Sequence, residues 1–177
     1  ALLCIENNAF TTAYNIYQHV ISLGKNRSNY LPAREGVLTT ASKKTFYDGN
    51  YKAQDLLNLK QDYIIFLNEF GADENTVKVM RDLAELEAFY LDDKNGAANL
   101  LQQVLILGNV RPAFKADCKL MLGDIKLLGG EEWESALLYG QRDKDFKEDP
   151  LGADVRFRNA KLSFYRGEAG RATCRAR

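Results

Sequence analysis

The chain has 177 residues, of which 24 are basic and 24 acidic, so its formal net charge is zero, and 46% of it is apolar. That apolar share is enough for a substantial buried core, whereas a neutral chain without a basic tract gives nothing for a phosphate backbone to follow, so no nucleic-acid partner is expected. No apolar run, Tyr63 to Leu67 included, exceeds five residues, too short for a membrane span.

In chain order the pattern predicts a short helix from Leu2, then helices over Thr11–Leu23, Ala33–Tyr47, Tyr51–Phe70, Glu74–Leu91, Ala97–Leu107, Pro112–Leu128, Glu131–Lys147 and Ala153–Arg166. Strand signals are nearly absent. Pro32-Ala33 and Pro112-Ala113 place a proline at or near a first helical position, where its missing N–H costs nothing. Asp73 is a candidate cap for the helix expected near Glu74, whose own charge suits a helix start.

A repeat runs through these helices. Ala13, Ala53, Ala97 and Ala136 recur about every 40 positions, each shortly after a turn signal: Asn7-Asn8, Asp48-Gly49, Leu91-Asp92 and Gly129-Gly130. Small residues also stand seven before the turns: Ser42 before Gly49, Ala84 before Leu91, Gly123 before Gly130 and Ala160 before Gly167. Helices approach closely only where side chains are small, so the two sets together predict αα-hairpins with a close contact built into each.

The fullest copy is LMLGDIKLLGGEEWESALLYG, Leu120 to Gly140, with Leu122-Gly123 on the first helix, Ala136 on the second and Pro150 beyond it. Phe10, Ala13, Tyr17 and Ile21 form a second helix of the same kind, as do Tyr51 and Ala53 in YDGNYKAQDLL. NAKLSFYRG, Asn159 to Gly167, reads as the first helix of one more copy. This pattern resembles the tetratricopeptide repeat over nearly the whole chain. The copies are longer than the roughly 34 residues usual for that family, so a HEAT-like or Sel1-like array stays open. The resemblance implies an all-α, right-handed α-solenoid of antiparallel helix hairpins. About four repeats would occupy residues 1–167 as one continuous array, incomplete at both ends, followed by a tail over residues 168–177 without the pattern.

The resemblance also implies that the first helices line a concave surface, and matching each of them to the family gives candidate protein-binding residues. These are Thr39, Lys43, Phe46 and Tyr47 in one copy, and Lys78, Arg81, Glu85 and Phe89 in the next. Asp117, Leu120, Asp124 and Leu127 follow, and the last copy supplies Asp154, Phe157, Lys161 and Phe164. Family members that clamp a peptide's terminal carboxylate use a Lys, Asn and Arg cluster there; Asp117 and Asp124 occupy two of those places, which excludes such a clamp. The mixture suits a helix or extended peptide laid in a groove. The expected function is a protein-protein interaction scaffold, a segment of a larger protein with a protein or peptide partner. The alternative is a structural spacer or oligomerisation arm.

Enzyme chemistry finds little support. His19 is the single histidine, so neither HExxH nor a multi-histidine metal site can form. Cys4, Cys118 and Cys174 are widely spaced and odd in number, unlike a disulfide scaffold. Asp93, Asn95 and Gly96 look like part of a calcium loop, but Leu91 and Gln102 stand where its end ligands belong, which leaves an interhelical turn. Asn26-Arg27-Ser28 is a glycosylation sequon best read as chance, and Gly129-Gly130 lacks the rest of a phosphate loop. No cofactor and no metal are expected. The start at Ala1, close to a repeat turn, is expected to lie inside a longer protein. Phe157, Leu162, Phe164 and Tyr165 form an apolar face that a second copy would cover in a homodimer. YDGNYKAQ and NAKLSFYRG look like the large bacterial multi-repeat members of the family, which implies the cell envelope or the cytoplasm.

Overall fold

The computed structural model describes residues 1–47, 49–145, 156–158 and 160. Eight helices follow one another: α1 Leu2–Glu6, α2 Phe10–Ser22, α3 Tyr30–Tyr47, α4 Ala53–Phe70, α5 Val77–Phe89, α6 Lys94–Ile106, α7 Pro112–Leu128 and α8 Glu132–Asp145. No strand occurs among the described residues. Residues 156–158 and 160 are also helical; the rest of the helix expected over Ala153–Arg166, the end of α8 expected at Lys147, and the tail over residues 168–177 lie outside the described residues.

Helix starts differ from expectation where side chains take over the backbone bonding. α3 begins at Tyr30, with Pro32 inside its first turn, because N–H groups there have no intrahelical acceptor to lose. α4 begins at Ala53, and the Asp55 carboxylate accepts from the Lys52 N–H at 2.8 Å. α5 begins at Val77 and not at Glu74. Asp73 instead holds a turn ahead of it: Asn75 N donates to Asp73 Oδ1 (2.8 Å), Asp73 N donates to Thr76 Oγ1 (3.0 Å), and that hydroxyl reaches Gly71 O (2.8 Å). α6 begins at Lys94 because Asp93 caps it, accepting from Gly96 N at 2.9 Å. The end of α6 is held by Lys115, whose ammonium donates to the carbonyls of Leu105 (3.0 Å) and Leu107.

Four of the repeat turns named from the sequence contain a residue in the left-handed region, Asn8 (φ 59°), Gly49 (63°), Asp92 (56°) and Gly130 (81°); the fifth, at Gly167, lies outside the described residues. That conformation reverses the chain in a few residues, and Gly, Asn and Asp tolerate it best.

The chain forms two compact units, Ala1–Leu86 and Glu87–Arg177. In the first, α2 packs on α3, and α3 on α4. Its core includes Ala13, Leu59, Tyr63, Phe66, Met80 and Ala84, and rings meet at Phe66–Phe70 (4.6 Å) and Tyr30–Phe70 (5.9 Å). Glu69 joins α4 to the start of α3, accepting from Lys25 (2.9 Å), Arg34 (2.7 Å) and Tyr30 (3.2 Å). In the second unit α7 packs against α6 and α8 around Ala97, Leu101, Val104, Cys118, Ile125 and Tyr139.

The small residues do not behave alike. Ala13 and Ala97 are fully buried, as expected. Ala53 is exposed, since it opens α4 before that helix turns its apolar face inward at Leu56. In α8 the fully buried small residue is Ser135, while Ala136 is half-buried, so the close contact sits one residue earlier than the alanine suggests. Gly123 is where α7 and α8 close up: a Cβ there would lie 2.6 Å from the Tyr139 ring. Gly36 does the same on α3, where a Cβ would lie 2.3 Å from the ring of Tyr17 on α2.

Gly123→Ala should therefore force Tyr139 aside and cost about 1–3 kcal/mol by overpacking, less the ~1 kcal/mol that alanine gains over glycine in a helix. Gly36→Ala should cost less, because half-exposed Tyr17 can swing outward; urea unfolding midpoints at unchanged slope would rank the two. The Tyr139 hydroxyl is pushed up to about 12, first by burial and then by its hydrogen bond to the Asp124 carboxylate. Its folded value exceeds the unfolded one of about 10, so its stabilising contribution is complete below pH ~10 and is lost as pH rises through the folded value. Circular dichroism across that alkaline window should show a smaller loss for Tyr139→Phe than for the parent chain.

Candidate functional site

Helices α1, α3 and α5 hold the first-helix places in the first unit. On α3, Thr39 is half-buried, Lys43 is exposed, and Tyr47 is exposed with its ring edge-on to Phe10 at 5.3 Å. Phe46 is half-buried and meets the Tyr51 ring at 5.2 Å. On α5, Lys78 is exposed, while Arg81 and Glu85 are half-buried.

Thr39 and Lys78 meet at a cavity of 660 Å³ whose walls come from α1, α2, α3 and α5. Leu3, Tyr17, Val20 and Gly36 give it an apolar lining, and Glu35 contributes a carboxylate. The cavity follows from local sequence. Gly36 has no side chain, so the Tyr17 ring lies directly on the α3 backbone and forms one wall. Lys43, Tyr47, Arg81 and Glu85 are not among the lining residues.

Charge on this face is largely paired within the unit. Lys78 Nζ donates to Glu35 Oε1 at 2.6 Å, joining α5 to α3 beside the cavity. Arg81 contacts both Asp82 (3.1 Å) and Glu85 (3.5 Å). Burial holds the Asp82 carboxyl above its ordinary range against the opposing pull of Arg81 and Lys78. Tyr17 is also raised, mainly by burial, with Lys78 pulling it down and Glu35 pushing it up. Tyr63, buried on α4 and bonded to Ser42, is raised most strongly, again by burial.

The remaining sequence-derived positions fall in the second unit. Phe89 is exposed at the end of α5, and Asp117 is half-buried on α7. Asp124 is an internal bridge: Tyr139 donates to its Oδ1 and Arg158 to its Oδ2. Leu120, read from the sequence as a groove residue, is buried against Tyr139 and unavailable to a partner. Leu127 and Phe157 are exposed, whereas Asp154, Lys161 and Phe164 lie outside the described residues.

A smaller polar cavity of 310 Å³ beside the start of α6 contains Asp92, Asp93, Lys94, Lys126 and Glu131. Its charges pair among themselves, Lys126 with Glu131 (2.8 Å) and Glu134 (2.9 Å), and Asp93 serves as a helix cap. Among the described residues no group of three or more His, Cys, Asp or Glu side chains is placed to hold a metal ion. His19 is exposed in the last turn of α2, and Cys118 is buried in α7. No described helix is long and apolar enough to cross a membrane.

Matching first helices to the family missed Tyr17, Glu35 and Gly36. Gly36 carried a signal: a glycine inside a helix costs about 1 kcal/mol relative to alanine, so its presence pointed to a close approach.

No protein-family model matches the chain, and no curated protein matches it by sequence. Its structure is similar to that of MamA, with a TM-score of 0.67 at 16% identity over 98% of this chain and 88% of the other. It is also similar to the nearly identical TPR-like repeats of a putative kinesin light chain from Podosopora anserina. One structure of these repeats has a TM-score of 0.68 at 13% identity, covering 97% of this chain and 86% of the other. A singly substituted form of the same repeats scores 0.69 at 13% identity, covering 97% and 85%. Together with the paired helices and their small-residue contacts, these likenesses show that the chain has an all-α helical-repeat fold of the tetratricopeptide type.

Proposed function

We propose that the chain is a protein-interaction scaffold that holds a peptide or helix of a partner protein on its first-helix face. The observation carrying this reading is the 660 Å³ cavity bounded by α1, α2, α3 and α5, large enough to receive a bulky apolar side chain. Thr39, Lys43, Tyr47, Lys78, Arg81 and Glu85 would supply contacts around it in the first unit; Phe89, Asp117 and Asp124 are candidate partner contacts of the second unit taken by itself. The domain reading goes with it: a repeat array over residues 1–167. The mixed charge of this face favours recognition through shape and register over bulk electrostatic attraction. No catalytic residue is assigned.

A second reading, an oligomerisation arm, draws on Phe157, which is 65% exposed.

Peptides selected from a random display library on the immobilised chain should lose roughly tenfold in affinity when Thr39→Trp fills the cavity. Lys43→Ala, with thermal unfolding unchanged, and Arg81→Ala, with a modest loss of stability from unpairing Asp82, should each cost a few-fold; unaltered affinity in all three variants would overturn the site assignment. A chain that selects no peptide, is dimeric by light scattering, and returns to monomer mass on Phe157→Asp would favour the arm.

A further inference from the structure

The ion pair beside the cavity is asymmetric. Lys78 is 55% exposed at its side chain, on a stem that can swing into water, whereas Glu35 is 23% exposed and is held in the wall on α3. An occupant pressed into the cavity displaces the mobile partner first, because the lysine regains hydration as it leaves. Glu35 cannot follow. It would be left as a half-buried carboxylate facing the occupant, beside the apolar surface of Leu3, Tyr17 and Val20, and an unpaired charge in such a place is costly.

We propose that the segment bound here is a partner protein's peptide bearing an apolar side chain next to a lysine or arginine, the cation taking Lys78's place on Glu35. This rests on the groove reading above and adds the chemistry of the occupant. Charge complementarity supports it: Glu35 is the carboxylate of the cavity lining, and once Lys78 has left it faces the occupant without its cation. Lys78, counted above among the surrounding contacts, then acts as a competitor of the partner's cation for Glu35.

The test uses three small probes of one shape, 4-phenylbutylammonium, 4-phenylbutyrate and 4-phenylbutanol, titrated into the whole chain while amide resonances of Tyr17, Gly36 and Thr39 are followed by NMR. The ammonium should bind most tightly. Lys78→Met, which keeps much of the stem and removes the charge, should tighten the ammonium about two- to fivefold, as expected for freeing a carboxylate from an exposed ion pair. Glu35→Gln should weaken it about tenfold and leave 4-phenylbutanol unchanged. Thermal unfolding of both variants checks that each is folded. Tighter binding of the carboxylate, or weaker ammonium binding in Lys78→Met, would overturn the charge assignment while leaving the groove reading standing. If no probe moves these resonances, both the occupant and the groove are wrong.

Discussion

The close crossing of paired helices over an aromatic ring is the contact on which the rest depends. Gly123 lets α7 settle onto the Tyr139 ring, and Gly36 lets α3 settle onto Tyr17. Interhelical distance is set by the side chains at the crossing, so a missing Cβ at each of these points decides how near the two backbones come. In the second unit the result is a dry contact in which Tyr139 is 1% exposed and its hydroxyl donates to Asp124. In the first unit the same device is left open on one side. Tyr17 is only half-buried, and its ring becomes the wall of a cavity. One packing rule thus yields a sealed core in one place and a recess in another, according to what stands next to the ring.

The turns repeat a second constraint. Asn8, Gly49, Asp92 and Gly130 differ in chemistry, yet all four adopt the left-handed conformation that reverses one helix into the next. The repeat is therefore maintained along the chain as backbone geometry and small-residue placement. Longer connections, such as residues 23–29 and 71–76, sit between hairpins, where added length costs little.

In each unit, charges at first-helix positions are paired from within: Lys78 answers Glu35 and Arg81 answers Asp82 and Glu85 in the first, and Tyr139 with Arg158 answers Asp124 in the second. A partner seated there, as proposed, would have to exchange these pairs for its own. Such a surface would reject ligands that cannot repair the charges they uncover, so its ion pairs would contribute more to discrimination than to affinity.

The helices, their pairing and the repeat were legible in the amino-acid order alone, because each rests on local signals: apolar spacing, a turn residue able to adopt positive φ, and a small residue a fixed distance away. The same signals misplaced the start of α5, where Asp73 and Thr76 bond the preceding turn instead of opening the helix, and they made Ala53 and Ala136 equivalent to Ala13 and Ala97. The likeness to the tetratricopeptide repeat pointed to Thr39 and Lys78, which meet at the cavity, but counted Leu120 among surface residues, although it is buried under Tyr139. Glu35, Tyr17 and Gly36 come together at the cavity only in three dimensions. They lie on two different helices, and whether a ring seals a core or lines a cavity depends on neighbours that no spacing along the chain encodes.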